Sequence, residues 1–511
     1  MPMNRRKFLG TLAAGTGGLL LTKCKEPEFA RRRDLFNNKS ADKIVPGNKN
    51  HIYPESTVGI VQSEKNHVED LNYEDIRKMV HQAIEYAGGF ENLIHNNDIV
   101  VLKPNIMCLW INSTGQKLIP DANGVTADWR VTRAVVELVR KYNPDGKVFI
   151  IESSAFQCTE LAMMELKYMP DYIPGVDAFL CLENCSGNYE EWDSSKLSRV
   201  TLPNGVGLYP DSMKPNLSPE FYLNRLYYEA DVVISLPVLK NHTHTGITGA
   251  LKNVSVGASP PNIYGKLMEP SVTSATQKIV SQFGRRLELN RWYKINHDPI
   301  YLDTWIHDYF LCRPVDFVVT DGLNGLQNGP DISKLVKQKS LAENLMNMRT
   351  ILAGRDALAV DTVHALLIGM DPAKIEHLVL LSNKGIGCTD PARIKIQGKM
   401  VHQLKKSFEM NYERSSQKMY SKFNSPEFKV KSAFYSDDKL NIELGANPRE
   451  ISKIEIAVNG QLLETAVVGG YDTISLDIGP LHSEQNQLDI YAYDCYLNCA
   501  HKSQKIKRSI A

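Results

Sequence analysis

Over residues 51–400 the hydrophobic and polar positions follow two patterns in turn. Short, nearly continuous apolar runs are typical of buried strands, and they alternate with segments whose apolar residues recur at helical spacing. The strongest helical segments are 73–86 and 129–142. Strands that alternate with helices predict an α/β domain with a mostly parallel sheet and helices on both faces. The apolar runs that predict strands are 58–62, 98–102, 147–151, 231–238, 315–320 and 350–353, and further helices are predicted at 155–168 and 357–369.

The stretch 230–253, ADVVISLPVLKNHTHTGITGALKN, changes from apolar to polar halfway along. Its first half predicts a central strand, and Pro237 indicates that regular pairing stops there. Its second half carries two imidazoles and two ammonium groups, and Gly246 and Gly249 allow the backbone to turn or to approach a ligand closely. Ligands of open α/β sheets bind outside the carboxyl ends of the strands. We therefore expect this stretch to deliver its polar groups to a site.

Polar or charged residues follow five of the predicted strands. If the strands are parallel, we expect all five strand ends to lie along one edge of the sheet and to form a shared site. For any single strand end, a capping or turn residue is the simpler interpretation. The residues at the five ends are Lys103 and Asn105, Glu152, Lys240 with His242 and His244, Asp321, and Arg355 with Asp356.

The histidines suggest a metal site. His242 and His244 are two residues apart, so in an extended segment they face the same side. Neutral imidazoles so placed bind zinc or a similar divalent ion, with carboxylates completing the coordination. The alternative is a pair of loop histidines bonded to the backbone, with the carboxylates serving as turn residue, helix cap and helix-dipole partner. The candidate carboxylate ligands are Asp321, Asp356 and Asp361.

The lysines suggest an anion site. Ammonium groups that converge on a strand edge would hold a phosphate or a carboxylate. The first hypothesis is therefore an enzyme acting on an anionic small molecule, with His242, His244 and Lys240 as catalytic candidates. A non-catalytic ligand-binding protein that uses the same pocket is the second hypothesis, and a redox-associated protein is the third. The residues expected to bind the substrate are Lys103, Asn105, Thr245, Lys252 and Asn253.

The last part of the chain has a different pattern. Residues 428–511 contain six short alternating segments, which predict a small β-sandwich, after a linker at 401–427. Asn459-Gly460 between two of the segments is a strong hairpin signal. We see no catalytic constellation here and expect a packing or interaction module.

The first residues predict export. Asn4-Arg5-Arg6-Lys7-Phe8-Leu9 is a twin-arginine pattern, and the apolar stretch 9–21 after it suits a signal peptide over residues 1–24, with a linker at 25–50. We expect a periplasmic or otherwise extracytoplasmic protein that uses the twin-arginine machinery. The alternatives are a chance arginine pair and, because Cys24 follows the apolar stretch, a lipid anchor, although Lys23 is unlike the small residue expected at that position.

Composition limits the partners and cofactors that the protein is expected to have. The 511 residues are 43% apolar with a formal charge of +1, so nothing favours nucleic acid as a partner. The nine cysteines are scattered and contain no C-x2-C-x2-C run, so no iron–sulfur cluster is expected. No segment after residue 24 is long and apolar enough for a transmembrane helix.

The region from about residue 57 to residue 397 resembles the family called domain of unknown function 362. The matching segments are VLKPN, RAVVELV, the stretch 230–253, VTDGLNG with the later Gly329-Pro330, and ILAGRDALAVDTVHALLIGMDP, in this order. The resemblance implies an α/β fold and little about activity. Some relatives carry a ferredoxin-type cysteine cluster that this chain lacks, so iron–sulfur electron transfer is not implied. The tail resembles bacterial immunoglobulin-like modules in its hairpin and its loop 494–498.

Overall fold

The computed structural model describes most of the chain beyond residue 55. The expected signal peptide, the linker at 25–50 and residues 411–423 of the second expected linker lie outside the described residues. Within those residues, no helix has the length and apolar character needed to cross a membrane. The described ranges are 56–111, 116–153, 159–182, 197–201, 220–260, 302–330, 340–410, 424–436, 438–446, 451–467, 473–478 and 485–507.

Strands account for much of this structure. In chain order they are β1 Ser56–Gln62, β2 Ile99–Pro104, β3 Lys147–Glu152, β4 Ala178–Cys181, β5 Leu197–Thr201, β6 Glu220–Asn224, β7 Val232–Leu236, β8 Val238–His242, β9 Gly246–Ile247, β10 Phe317–Leu326, β11 Thr350–Gly354, β12 Ile394–Gly398, β13 Phe428–Ser436, β14 Lys439–Ala446, β15 Lys453–Val458, β16 Gln461–Val467, β17 Thr473–Asp477, β18 Gln485–Tyr493 and β19 Cys499–Lys507.

Helices connect and cover the strands. They are α1 Tyr73–Tyr86, α2 Trp129–Tyr142, α3 Thr159–Glu165, α4 Arg225–Glu229, α5 Gly249–Gly257, α6 Leu302–Cys312, α7 Leu341–Asn344, α8 Ala357–Leu367, α9 Glu376–Asn383 and α10 Val401–Leu404, with short 3-10 helices at Val68–Asp70, Pro372–Lys374 and Pro391–Arg393.

One large, mostly parallel sheet forms the centre of the α/β part. Its strand order is β12-β1-β11-β10-β7-β2-β3-β4, and β8 extends from β10 with β9 beside it. The central strands are buried along their whole length, as in β2 (IVVLKP) and β7 (VVISL). Such runs form strands covered on both faces because neither face meets water. The predicted α/β class is therefore confirmed.

The helices begin where the sequence supplies caps. The Asn72 side chain accepts a hydrogen bond from the Asp75 amide at the start of α1, and the Asp128 side chain accepts from the Arg130 amide at the start of α2. These bonds satisfy amides that have no partner inside the helix. Both helices then bury one apolar stripe in the core beside the sheet. Their bounds agree with the predicted segments 73–86 and 129–142.

The direction of one strand differs from the expectation. β11 runs antiparallel to both of its neighbours, with Gly354 opposite Val58 of β1 and Val318 of β10. The residues after β11, Arg355 and Asp356, therefore lie at the opposite edge from the ends of β2, β3, β7 and β10. The expectation that all five strand ends share one edge is wrong for this strand. In the described part of the connection from β10 to β11 the only helix is the four-residue α7, not a long crossover helix of the kind that joins parallel strands.

The stretch 230–253 forms two strands rather than one. β7 ends at Leu236, and after Pro237 the chain continues as β8, which pairs with the later residues of β10. The proline interrupts regular pairing because it has no amide hydrogen to donate. As a result, β8 carries Lys240 and His242 beyond the end of β7.

The C-terminal region is all β. Two antiparallel sheets, β13-β14-β17 and β16-β15-β18-β19, contribute buried side chains to one apolar core. Asn459 and Gly460 have φ angles of +52° and +79°, as a two-residue hairpin turn of type I′ requires, so the hairpin prediction is confirmed. Strand β19, CAHKSQKIK, was not predicted because its residues are mostly polar.

Candidate functional site

Four of the five predicted strand ends meet at the edge of the sheet where β2, β3, β7 and β10 end, which we call the carboxyl edge. A loop over residues 122–128, which we call the edge loop, runs along it and bonds to these ends. The Ala127 amide donates to the Asn105 carbonyl (2.8 Å), and the Asp128 amide donates to Asp321 Oδ2 (2.8 Å). Lys240 Nζ donates to the Val125 carbonyl. The edge loop therefore links the ends of β2, β8 and β10 through these three hydrogen bonds.

The edge loop was not singled out from the sequence. Its turn is built by Asn123, whose Oδ1 accepts from the amides of Val125 and Thr126 (both 2.8 Å). An asparagine that bonds to backbone two and three residues on is a known way to fix a turn. The segment NGVT in the sequence carries this signal, although nothing in it indicates which strand ends the loop contacts.

Lys103 and Glu152 form a buried ion pair at this edge. Lys103 Nζ lies 2.9 Å from Glu152 Oε1 and donates to Asn253 Oδ1 (3.1 Å), and both charged side chains are almost fully buried. Glu152 also accepts from the amides of Ile106 (2.6 Å) and Ser153 (2.8 Å). Burial lowers the pKa of Lys103 and raises the pKa of Glu152. The pair ties β2 to β3, and through Asn253 to α5.

The space around this ion pair is filled. A Cβ atom added at Gly257 would lie 2.5 Å from Lys103 Nζ and 3.2 Å from Glu152 Oε1. Asn253 continues the network, because its Nδ2 donates to the Lys103 carbonyl (2.8 Å) and to Ser235 Oγ (3.0 Å). Lys103 and Asn253 were expected to bind a substrate, and their contacts here are with the protein itself.

Lys240, His242 and His244 follow one another along β8 and the turn after it. Lys240 is fully buried and donates to backbone carbonyls, while His242 is buried and His244 is partly exposed. The two ring centroids are 5.7 Å apart with the ring planes tilted by 57°, and the His244 amide donates to His242 Nδ1 (3.1 Å). A neutral imidazole that accepts at Nδ1 carries its proton on Nε2, so His242 presents a donor there.

The remaining predicted binding residues lie on the same segment or beside it. Thr245 Oγ1 donates to the Ile247 carbonyl (2.8 Å), which closes the turn before α5, and Lys252 is buried in the first turns of that helix. Asn105 Nδ2 donates to Asn253 Oδ1 (3.2 Å). Asn105 Oδ1 and Thr248 Oγ1 are buried, and in the described part of the chain neither has a hydrogen-bond partner.

The three predicted carboxylate ligands bond to backbone amides instead of converging on the histidines. Asp321 accepts from the amides of Asp128 and Leu323. Asp356 caps α8 by accepting from the amides of Leu358 and Ala359. Burial raises the pKa of both carboxyls, to about 7 for Asp321, where the nearby Asp128 carboxylate adds to the effect.

The third carboxylate, Asp361, accepts from the amides of Ala250 (2.7 Å) and Leu251 (3.1 Å), and burial raises its pKa to about 6. In the described ranges, no group of three or more His, Cys, Asp or Glu residues is placed to hold a metal ion. The three carboxylates are therefore held by backbone amides, and Asp356 is in addition at the opposite edge.

Two buried groups that the sequence reasoning missed lie on the helices beneath this edge. His364 of α8 lies against the backbone of Lys240, and burial lowers its pKa to about 3. His377 Nδ1 lies 2.7 Å from Asp303 Oδ1, and both side chains are buried. The only sequence signal for His364 is its position three residues after Asp361, on the same face of a predicted helix.

The fold and this edge define an α/β protein with a mostly parallel sheet, whose carboxyl edge holds buried lysines, histidines and carboxylates. The family model described as "Domain of unknown function (DUF362)" matches residues 100–365, just over half of the chain, and the chain belongs to that family.

Other comparisons add little. Curated proteins give no match. The crystal structure of the Clostridium perfringens spore cortex lytic enzyme SleM is 12% identical over 16% of this chain and 28% of that one, with a TM-score of 0.15. The Clostridium thermocellum CbhA fibronectin(III)-like modules are 18% identical over 16% of this chain and 94% of theirs, with a TM-score of 0.14. These likenesses support no conclusion about fold or function.

Proposed function

We propose that the carboxyl edge binds an anionic small molecule, a phosphate or a carboxylate, through Lys240 and Lys252. The observation that carries the proposal is the burial of three lysines at this one edge, Lys103, Lys240 and Lys252. Removing an ammonium group from water costs several kcal/mol, about what a well-placed partner can return. Lys103 pairs with Glu152, and Lys240 Nζ donates to the carbonyls of Val125 and Pro330. An anionic ligand beside Lys240 and Lys252 would add a charge-assisted hydrogen bond to the contacts that these lysines already make.

Two unsatisfied oxygens support a ligand at the same place. Asn105 Oδ1 and Thr248 Oγ1 are buried, and no atom of the described residues bonds to them. Buried polar atoms without a partner are rare in native proteins, and a bound molecule or an ordered water satisfies them. A ligand that offers a hydroxyl or amino donor beside its negative charge would bond to these oxygens and be attracted by the nearby lysines.

The histidines give the proposal its enzymatic form. His242 or His244 would transfer a proton to or from the ligand, because an imidazole is the side chain best suited to this role near neutral pH. The alternative is a non-catalytic ligand-binding protein that uses the same lysines. A redox-associated role is the third alternative, and the absence of a ferredoxin-type cysteine run from the sequence weighs against it.

Metal binding by His242 and His244 stays a prediction. Its test is metal analysis of the purified protein and of the His242→Ala/His244→Ala variant. Stoichiometric metal in the first and none in the second would support it. Metal-free protein of unchanged stability in both would remove it, and would leave the anion site unaffected.

A calorimetric titration of the protein with inorganic phosphate tests the anion site. We expect the Lys240→Gln and Lys252→Gln variants each to bind phosphate at least about tenfold more weakly, because each loses a charge-assisted hydrogen bond. Lys395→Gln, which removes an exposed lysine on β12, is the matched control and is expected to bind as the original protein does. Equal affinity in all four proteins would contradict the proposal.

Export by the twin-arginine route remains part of the proposed role. The support is the pattern Asn4-Arg5-Arg6-Lys7-Phe8-Leu9 followed by the apolar stretch 9–21. Replacing both arginines by lysine is expected to keep the protein in the cytoplasm, as cell fractionation would show. Unchanged export would contradict this route.

We also propose that the C-terminal β region is an immunoglobulin-like module, which its two antiparallel sheets and common core support.

A further inference from the structure

Helix α8 carries two fully buried polar side chains on one face. Asp361 and His364 are three residues apart, so they lie next to each other on the helix surface. Removing an acid and an imidazole from water costs free energy, which contacts inside the protein must offset. For both groups these contacts are with the segment 240–251.

Asp361 acts as the N-terminal cap of a different helix. Its two carboxylate oxygens accept from the Ala250 and Leu251 amides, which lie in the first turn of α5. Thr248, at the N-cap position of α5, makes no side-chain capping bond of its own, so Asp361 satisfies amides that would otherwise have no partner. The approach is so close that a Cβ atom at Gly249, where φ is +57°, would lie 2.4 Å from Asp361 Oδ2.

His364 meets the other end of the same segment. Its imidazole packs against the Lys240 backbone, since in the described part of the chain neither ring nitrogen has a hydrogen-bond partner. With its pKa lowered to about 3 by burial, the imidazole is neutral at ordinary pH. One face of α8 therefore contacts the segment 240–251 at two places: His364 meets Lys240, and Asp361 meets Ala250 and Leu251. Asp361 is itself flanked by His377, which pairs with Asp303 of α6. His377 and Asp303 therefore pack beside this face of α8.

We propose that Asp361 and His364 are positioning residues, which hold the segment 240–251 at both ends and set the direction of the imidazoles and ammonium groups that it presents. The inference rests on the proposed anion site for its functional meaning, and it assigns Asp361 a role other than the metal ligand expected from the sequence. The carboxylate of Asp361 acts here through two backbone amides that it holds in place.

The test compares Asp361→Asn with Thr362→Val. Thr362 is the next residue of α8, is equally buried, and in the described part of the chain its Oγ1 has no hydrogen-bond partner, so valine is a matched control of the same shape. The readouts are the imidazole carbon–proton NMR signals of His242 and His244 without ligand, and the affinity for inorganic phosphate. A merely structural role would lower stability and leave both readouts of the folded protein unchanged.

We expect Asp361→Asn to shift both imidazole signals and to weaken phosphate binding about tenfold, because a neutral amide holds the two backbone amides less firmly than a carboxylate does. Thr362→Val is expected to change neither readout. If Asp361→Asn does not fold, His364→Gln provides the same test from the other end of the segment. Unmoved imidazole signals in a folded Asp361→Asn or His364→Gln protein would overturn the proposal.

The two readouts separate this inference from the proposed function. Shifted imidazole signals in a protein that binds no phosphate would support positioning and contradict the anion site. Phosphate binding that Lys252→Gln weakens and that Asp361→Asn leaves unchanged, with unmoved signals, would support the anion site and contradict positioning.

Discussion

The two edges of the central sheet contain the same kind of group and differ in what surrounds it. At the opposite edge from the carboxyl edge, Asp356 is buried and its oxygens accept from the amides of Leu358, Ala359 and Cys388 and from the Ser56 hydroxyl. At the carboxyl edge, Asp321 is buried and accepts from two amides. Both carboxylates fix backbone, as caps and turn residues do.

Buried ammonium groups and imidazoles distinguish the carboxyl edge. It holds the buried lysines Lys103, Lys240 and Lys252 and the pair His242 and His244, whereas Asp356 has backbone amides and a hydroxyl around it. A carboxylate at a strand end is therefore weak evidence for a site. Several buried ammonium groups at one edge are stronger evidence, because their summed positive charge attracts an anion.

The largest effect is expected at the Lys103–Glu152 pair. Lys103→Met leaves the Glu152 carboxylate buried without its cation, and we expect the free energy of unfolding to fall by about 3–5 kcal/mol. Urea denaturation measures this change. The double variant Lys103→Met/Glu152→Gln removes both charges and is expected to recover part of the loss. A loss below about 1 kcal/mol in the single variant would show that the pair does not tie the edge together.

The pH dependence of stability is the second expectation. The pKa of Asp321 is about 7 in the folded protein, against 3.8 for an ordinary Asp, so between these values the folded state binds more protons than the unfolded state. The free energy of unfolding therefore falls as pH rises from 4 to 7, by up to about 1.4 kcal/mol per pH unit for this group, and levels off above. Asp361, with a pKa of about 6, contributes in the same direction.

The variant Asp321→Asn isolates this effect. Because asparagine does not titrate, we expect a shallower fall in the free energy of unfolding over pH 4–7, measured by urea denaturation at each pH. Identical pH profiles for the two proteins would show that the Asp321 carboxyl is not the group that titrates there.

A smaller effect, confined to stability, is expected at the opposite edge. Asp356→Ala removes the cap of α8 and leaves the Cys388 amide without its acceptor, which should cost about 2 kcal/mol. Asp356→Asn keeps one acceptor and should cost less. Phosphate affinity should be unchanged in both, and a tenfold loss would mean that the two edges are not functionally distinct.

Much of this architecture could be predicted because it depends on local pattern. The bounds of α1 and α2 follow from apolar spacing and from caps at Asn72 and Asp128. The meeting of Lys103, Glu152, Lys240 and Asp321 at one edge follows from parallel strands. The hairpin at Asn459-Gly460 follows from the positive φ angles that this dipeptide tolerates.

The rest depends on contacts between distant parts of the chain. The direction of β11 is decided by its pairing with β1 and β10, which its own sequence, TILAG, does not encode. One partner of Asp321, Asp128, and both amide partners of Asp361, Ala250 and Leu251, lie more than a hundred residues away in the chain. A carboxylate that bonds to a distant amide looks the same in sequence as one that binds a metal.

Diffraction from crystals soaked in selenate, collected at the selenium absorption edge, tests the central claim most directly. The account predicts an anomalous peak at the carboxyl edge, with an oxyanion oxygen about 3 Å from the Nζ atom of Lys240 or Lys252, and no such peak in Lys240→Gln/Lys252→Gln crystals. Selenate ordered elsewhere on the molecule, with none at the carboxyl edge, would contradict it.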